Sequence, residues 1–503
     1  MWKSSIGSLR FEVDHRDTSG EGGATLRVRA AKEGDRELLR FDCFRRAPHY
    51  HVDPAGRDLI TALDPLADNI DWTVGELARD LGGYLERAGF AVNREAPRRE
   101  PLAALLRDVE AAMRNPPARL DAPEPRRLAA RISEKWNTYP PEILPAWVAE
   151  MDFPLATPVR AVLERALDLD DLGYPINPGE TGLREAFAER METRFGWAID
   201  PQRVVVLTDV VQGMYVALET LCEPGDGAIV QTPIYPPFLS SVGETGRRLD
   251  ACPLVRGAHG FEIDFDALRA ATDARTRMLL LCNPHNPSGR AYTREELEAL
   301  AELVLERDLV VVADEIHADL VFDGRRHLPF ASLGAALAER TITLTSATKA
   351  FNIPGLRCAV AHFGSARLQD RFGAVPRHIR GGVGLLGIYA TLAAWRHADP
   401  WLDEVRAYLE GNRDFLRDAL RKRFPEIVCH PAEATYLAWL DCAALELPGT
   451  PGAFFAERGK LALSDGHFFG KGWEQYARLN FATSRTVLEQ VLERMETALR
   501  SRS

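Results

Sequence analysis

The run Thr341-Ile-Thr-Leu-Thr345 passes directly into Ser346-Ala-Thr-Lys-Ala-Phe-Asn-Ile-Pro-Gly-Leu-Arg357. The first five residues are apolar or β-branched and read as a buried strand. The strand delivers an amine, Lys349, to its C-terminal end, with hydroxyls on Ser346 and Thr348 and a cation at Arg357 beside it. The chain holds 62 basic residues. Only seven of them are lysines, so each lysine position is informative. Taken alone, the segment reads equally well as a reactive amine beside an anion site or as an ordinary loop lysine.

The neighbouring sequence repeats the same design. Arg203-Val-Val-Val-Leu207 runs into Thr208-Asp209, and Ala228-Ile-Val-Gln231 into Thr232-Pro-Ile-Tyr-Pro-Pro-Phe238. Met278-Leu-Leu-Leu-Cys282 runs into Asn283-Pro-His-Asn-Pro-Ser-Gly289, and Leu309-Val-Val-Val-Ala313 into Asp314-Glu-Ile-His317. Continuous apolar runs alternating with helical segments predict an α/β fold whose mostly parallel sheet is covered on both faces. Ligands on such sheets bind beyond the carboxyl ends of the strands, so five polar motifs at five strand ends point to one site.

An amine forms an imine with a carbonyl, while hydroxyls and a guanidinium hold a phosphate dianion. An aldehyde carrying a phosphate describes pyridoxal phosphate (PLP), which lysines hold in this way. Asp314, ending a very apolar strand, suits a protonated pyridine nitrogen, since a buried carboxylate needs a partner. Its plainer reading is a salt bridge or a helix cap. Tyr235, in a proline-fixed turn, suits stacking on a ring, and core packing is the alternative. The Asn286 amide suits a ring oxygen, although its string is also a good turn. His317 suits the same oxygen, with a structural histidine a nearly equal reading. The backbone amides of Asp209, Val210 and Val211, opening a helix, suit phosphate.

Together these residues resemble the fold-type I PLP enzymes of the class I/II aminotransferase group. Within that group they resemble the PatB/MalY-type cystathionine β-lyases, or C–S lyases. The finer likeness rests on Trp147-Val-Ala-Glu-Met-Asp-Phe153, Gly173-Tyr174, the Tyr235, Asn286, Asp314 and Lys349 strings, Thr435-Tyr-Leu-Ala-Trp-Leu-Asp441 and Arg478-Leu-Asn480. These come in family order between about residues 130 and 485. The resemblance implies that Lys349 is the Schiff-base lysine and proton shuttle, and that Asp314 pairs with the pyridine nitrogen. It also implies that Asn286 bonds the ring hydroxyl, Tyr235 stacks, Ser346 and Arg357 bind phosphate, and Arg478 grips the substrate α-carboxylate. Tyr174 would reach the phosphate of the neighbouring subunit in a homodimer. Some positions depart from the pattern. Glu150 stands where the family has aspartate, and Thr208-Asp209-Val210-Val211 where it has Pro-Gly-Val-Val. A carboxylate at Asp209 would repel a phosphate unless turned away. Thr348 and Ala350 also differ, and Arg357 resembles aminotransferases more than many C–S lyases.

The implied architecture is aspartate-aminotransferase-like. A linker and arm (119–160) leads to a PLP-binding large domain (161–395) and a smaller C-terminal α/β domain (396–503). Residues 1–118 fall outside the resemblance and read as an extra α+β module. Its strands are Leu9–Val13, Thr25–Arg29 and Leu38–Phe44, and its helix is capped by Asp71. Pro97 to Glu100 and Asn115 to Pro125 read as linkers. His49 and His51, with Cys43 nearby, read as alternate residues on a strand face, and no metal site is expected from them. Net charge is −11, which disfavours nucleic acid. No apolar stretch reaches membrane length. The first residues lack a signal-peptide layout, and seven scattered cysteines favour a reducing cytoplasm. The leading expectation is a β-lyase acting on a cysteine S-conjugate or cystathionine-like amino acid, with specialised metabolism its slightly favoured setting. Aminotransfer, or another fate of the same carbanion such as decarboxylation or oxidative deamination, is the second. A non-catalytic regulator with this fold is the third.

Overall fold

The computed structural model describes residues 1–18, 21–31, 33–91, 99–121, 125–257, 260–376 and 378–501. The chain divides into two compact units. One is residues 1–118 with 156–171 and 397–401; the other is 119–155, 172–396 and 402–503.

In the first unit, six strands form one antiparallel sheet in chain order: Trp2–Ile6, Leu9–Thr18, Glu21–Ala30, Arg36–Phe44, His49–Val52 and Leu59–Ala62. The three alternating runs legible in the sequence are the second, third and fourth. Phe11, Leu26, Val28 and Phe41 alternate onto one face, where they share a core with Leu77 and Leu81 of helix Asn69–Arg87 and Leu106 and Val109 of helix Arg99–Arg114. The first helix is capped by Asp68, which accepts from the N–H groups of Ile70 and Asp71. The expected cap, Asp71, lies in the first turn instead, where a negative charge suits the helix dipole. Of the expected linker at 97–100, residues 97 and 98 lie outside the described residues. Arg99 and Glu100 open the second helix, because Leu102, Leu105, Leu106, Val109 and Met113 recur at helical spacing and are buried. In the second expected linker, 115–121 form no helix or strand, residues 122–124 lie outside the described residues, and Pro125 opens a short helix.

The second unit is built on a seven-stranded sheet in the order Arg248–Pro253, Gly227–Thr232, Thr276–Cys282, Val310–Asp314, Thr341–Thr345, Ala359–Phe363, Val204–Leu207. The first five pair in parallel. Ala359–Phe363 is antiparallel to both its neighbours, so Val204–Leu207 points the same way as the first five. Successive residues enter opposite cores, as the strand period of two requires. Val230, Leu280, Val312 and Ile342 join one cluster, while Ile229, Leu279, Val311 and Ala313 join the other. Helix Val210–Leu221 covers the first face. At its Gly213 a side chain would stand 2.9 Å from Leu207 and Leu344 methyl carbons, so glycine lets the helix start settle onto the sheet.

A smaller antiparallel sheet follows, in the order Val428–Cys429, Leu437–Asp441, Tyr476–Asn480, Ser464–Asp465, with helices Pro451–Gly459 and Arg485–Arg500. Among the described residues, no helix is long and apolar enough to cross a membrane.

Candidate active site

The parallel strands all end at one edge of the large sheet, and the antiparallel strand starts there. Strand Thr341–Thr345 ends at Ser346, whose Oγ caps the single helical turn Ala347–Ala350 by accepting from Thr348 N–H at 3.0 Å. Lys349 lies in that turn, half-buried, and its Nζ donates to Ala149 O at 2.9 Å. Loss of hydration, with help from the Arg478 charge, lowers the Lys349 amine to about 8. A much larger share of it is therefore neutral near pH 7–8 than for an exposed lysine.

The neighbouring strand places Asp314 where the sequence puts it, 6 % exposed. It accepts from Ile316 N–H at 3.0 Å. Among the described residues no basic side chain forms an ion pair with it. Burial raises the Asp314 carboxyl to about 7, with the Glu315 charge adding and Lys349 subtracting. His317 is buried, and burial with the Lys349 and Arg478 charges lowers it to about 3, so it is neutral. Its Nδ1 has no hydrogen-bond partner among the described residues. Tyr235 stands half-buried at the start of helix Pro236–Glu244. Burial raises its phenol and Arg478 pulls it back.

Arg478, on strand Tyr476–Asn480, is buried in the same place. Its Nη1 donates to Asn286 Oδ1 and its Nη2 to Trp147 O, both at 3.0 Å. Its guanidinium carbon lies 4.9 Å from the Phe469 ring centroid, and its Nε has no hydrogen-bond partner among the described residues. Loss of hydration lowers it to about 10. Lys349, Asp314, His317, Tyr235, Asn286 and Arg478 are thus brought together.

A second group gathers at the neighbouring strand end. Asp209 caps helix Val210–Leu221, accepting from Gln212 N–H at 2.7 Å, so the N–H groups of Val210 and Val211 lie in the first turn, where backbone donors have no acceptor within the helix. The other Asp209 oxygen pairs with Arg357. The carboxylate is thus bound to the very cation expected to hold phosphate. Arg357 reaches this edge because the antiparallel strand begins just after it. Ser346 Oγ also lies 2.6 Å from Cys358 O, tying the lysine turn to that strand. Thr208 Oγ1 is buried without a hydrogen-bond partner among the described residues. Gly381, at φ +76°, leaves open the space beside it: a side chain there would stand 2.4 Å from Thr208 Oγ1. Tyr174 stands apart from both groups within this single chain, fully exposed at 102 %.

Several supporting residues are not evident from sequence. Tyr436, fully buried, donates to Ala149 O at 3.0 Å, sharing the acceptor with Lys349. Asn480 Nδ2 donates to Val148 O and Glu150 O, both at 2.7 Å. Asn352 Nδ2 donates to Met151 O at 2.9 Å. Buried Lys135 pairs with Asp152 at 2.9 Å. All fix the segment 147–153, whose carbonyls face Lys349 and Arg478. Tyr436 and Asn480 lie inside strings that carry the family likeness, which is the one signal that marks them.

The donor set fits PLP. A buried carboxylate lacks a cation, a weakly basic amine lies near it, and orphaned polar atoms mark both groups: His317 Nδ1 and Arg478 Nε in one, Thr208 Oγ1 in the other. The comparisons agree. The family described as aminotransferase class I and II matches residues 148–495, and a domain of unknown function (DUF7700) matches residues 4–112. A cystathionine beta-lyase of Corynebacterium glutamicum is 35 % identical over 377 residues, covering 75 % of this chain and 99 % of the relative. Cystathionine beta-lyase PatB of Bacillus subtilis is 35 % identical over 361 residues, covering 71 % and 93 %. The crystal structure of cystalysin from Treponema denticola, which contains a pyridoxal 5'-phosphate cofactor, superposes with TM-score 0.71 at 29 % identity, covering 74 % of this chain and 96 % of that one. On the family match and these identities, the chain belongs to the class I and II aminotransferase family.

Proposed function

We propose that this chain is a PLP-dependent carbon–sulfur β-lyase that converts a cysteine S-conjugate or cystathionine-like amino acid, with one water, into a thiol, pyruvate and ammonia. The observation that carries the reading is the convergence of Lys349, Asp314 and Arg478 at one sheet edge, in a chain whose relatives include cystathionine beta-lyases. When bound, PLP supplies an electron-poor ring that takes up the electron pair left by α-proton removal.

The chain's residues divide the remaining work. Arg478 turns its Nη1 and Nη2 from Asn286 and Trp147 O to the substrate α-carboxylate, a bidentate pair that orients the Cα–H bond. Lys349, with its lowered basicity, takes that proton as general base near neutral pH. Asp314, ionised by pairing with the ring nitrogen, holds a proton on that nitrogen. The thiolate leaves from Cβ with the electron pair and is protonated to the thiol. The test is a panel of cysteine S-conjugates and cystathionine, with thiol, pyruvate and ammonia read together. Release of none of these from any substrate overturns the reading. Conversion of the cofactor to its amine form without thiol release assigns aminotransfer instead.

The phosphate end yields a prediction. Asp209→Asn keeps an amide oxygen as helix cap and removes the charge now paired with Arg357. PLP affinity of the cofactor-free protein should rise about three- to tenfold, read by absorbance titration. Unchanged or weaker affinity would place the phosphate away from Asp209.

We also infer a homodimer with shared sites, from exposed Tyr174 and its exposed neighbours Leu172 and Ile176. Tyr174→Phe should weaken PLP by about 0.5–1.5 kcal/mol, the worth of one hydrogen bond. Mixing it with Lys349→Ala protein tests the crossing. Hybrid dimers carry both defects in one site and an intact second site, so activity should appear with near-wild-type PLP affinity. A fully active monomer at low concentration would remove the shared-site reading.

A further inference from the structure

We propose that the N-terminal module binds a divalent first-row transition ion of the imidazole-preferring class through His49, His51 and Asp42. The sheet register creates the cluster. Strand Arg36–Phe44 pairs with His49–Val52 so that Asp42 lies opposite His49 and Arg40 opposite His51. Residues opposite one another share a face, so these four side chains stand together. Phe41 and Tyr50, on the alternate positions, stack on each other at 5.6 Å toward the helices. Cys43 also falls on that other face, where its thiol donates to Asn69 O and burial raises it to about 12. The polar face should be wet, yet Asp42 is 2 % and His51 3 % exposed.

The ligand atoms are prepared. His49 Nδ1 lies 2.8 Å from Ala47 O. A carbonyl only accepts, so Nδ1 carries the hydrogen and Nε2 presents a lone pair. His51 Nδ1 lies 2.6 Å from Asp58 Oδ1, which fixes the same tautomer. This outer carbonyl or carboxylate is the arrangement that orients metal-ligating histidines. Thr25 Oγ1 donates to Asp42 Oδ1 at 2.6 Å, leaving Asp42 Oδ2 to face the histidines. That oxygen lies 3.5 Å from His49 Nε2 and 3.6 Å from His51 Nε2. Ligands about 2.0–2.1 Å from a tetrahedral zinc ion stand about 3.3–3.4 Å apart, so these two distances need only a small contraction. All three ligand atoms lie within 4.8 Å of one another.

One group competes. The Arg40 guanidinium donates to Asp42 Oδ2 at 3.0 Å and lies 2.8 Å from His51 Nε2. It is the cation these atoms now hold. Its other arm lies 3.4 Å from Glu37, so a metal ion can displace it toward a carboxylate already in place. Three protein ligands then leave a position for water or another small ligand.

The experiment uses the full-length, PLP-loaded protein, treated with chelator and dialysed against micromolar Zn2+ with excess Mg2+. One zinc per chain is expected by elemental analysis, with a rise in unfolding temperature. His49→Ala, at a partly exposed position, should lose at least tenfold in affinity while unfolding normally without zinc. Asp58→Gly, which removes the outer partner of His51 and suits the left-handed backbone there (φ +48°), should lose about ten- to a hundredfold. Arg40→Ala should bind about tenfold more tightly. Absence of stoichiometric zinc from the wild type overturns the proposal whatever the variants do, and makes Arg40 the permanent cation of an ion-pair network. Full retention of zinc by His49→Ala overturns it equally.

Discussion

Lys349→Ala protein should fold, bind PLP only non-covalently and turn over at least about a thousandfold more slowly than wild type. One amine has two tasks, holding the cofactor and moving the α-proton, so its loss removes both. The protein should still fold, because among the described residues Nζ makes a single hydrogen bond, to Ala149 O, and that acceptor is shared with Tyr436. The measurements are borohydride reduction with peptide mass mapping, and single-turnover release of thiol. In wild type the reduced adduct should map to Lys349. Mapping to any of the other six lysines, or a variant that keeps a tenth of the activity, removes Lys349 from the centre of the chemistry.

The sequence makes the lysine strand legible because its chemistry is local. Thr341 to Lys349 shows a buried strand and a strand-end amine within nine residues. Five of the seven large-sheet strands are legible for the same reason, being continuous apolar runs. The two that are missed fail for different physical reasons. Arg248–Pro253 is an edge strand whose residues are mostly exposed or half-buried, so it carries no apolar run. Ala359–Phe363 is buried but rich in alanine, which has little strand preference, and its reversed direction depends on pairing that no local pattern encodes. That reversal is what carries Arg357 to the site edge, where it meets Asp209.

Pairings distant in sequence are the general limit. Asp209 reads as a charge facing a phosphate, while the structure adds that it is a helix cap bound to Arg357. Tyr436, Asn480 and Asn352 act on backbone carbonyls of 147–153, and carbonyls leave no mark in a sequence. His49 and His51 are visible as an alternating pair, but Asp42 joins them only through strand register. The first-unit helix Arg99–Arg114 is a different kind of miss. Its buried positions have helical spacing, and its charged, proline-led start masks them.

Asp314→Asn should have two opposite effects. With PLP bound, activity should fall about a hundredfold or more, because an amide cannot hold the ring nitrogen protonated. Without PLP, the same change should stabilise the protein above pH 7. The sign follows from linkage. Burial raises the Asp314 carboxyl from an ordinary 3.8 to about 7, so between those values the folded chain holds a proton that the unfolded chain releases. Stability from this group is complete below about pH 4 and is lost as pH rises through 7. The loss approaches three pKa units, on the order of 4 kcal/mol as an upper bound. Asparagine has no charge to bury and keeps an acceptor for Ile316 N–H. Cofactor-free Asp314→Asn should therefore unfold at a higher temperature than cofactor-free wild type at pH 8, with the gap closing toward pH 4–5. PLP should raise the wild-type midpoint most at pH 8, since the ring cation supplies the partner that the carboxylate lacks. Equal or lower stability of the cofactor-free variant at pH 8 would show Asp314 already compensated by the protein. The buried carboxylate would then be no evidence for a cationic ring beside it.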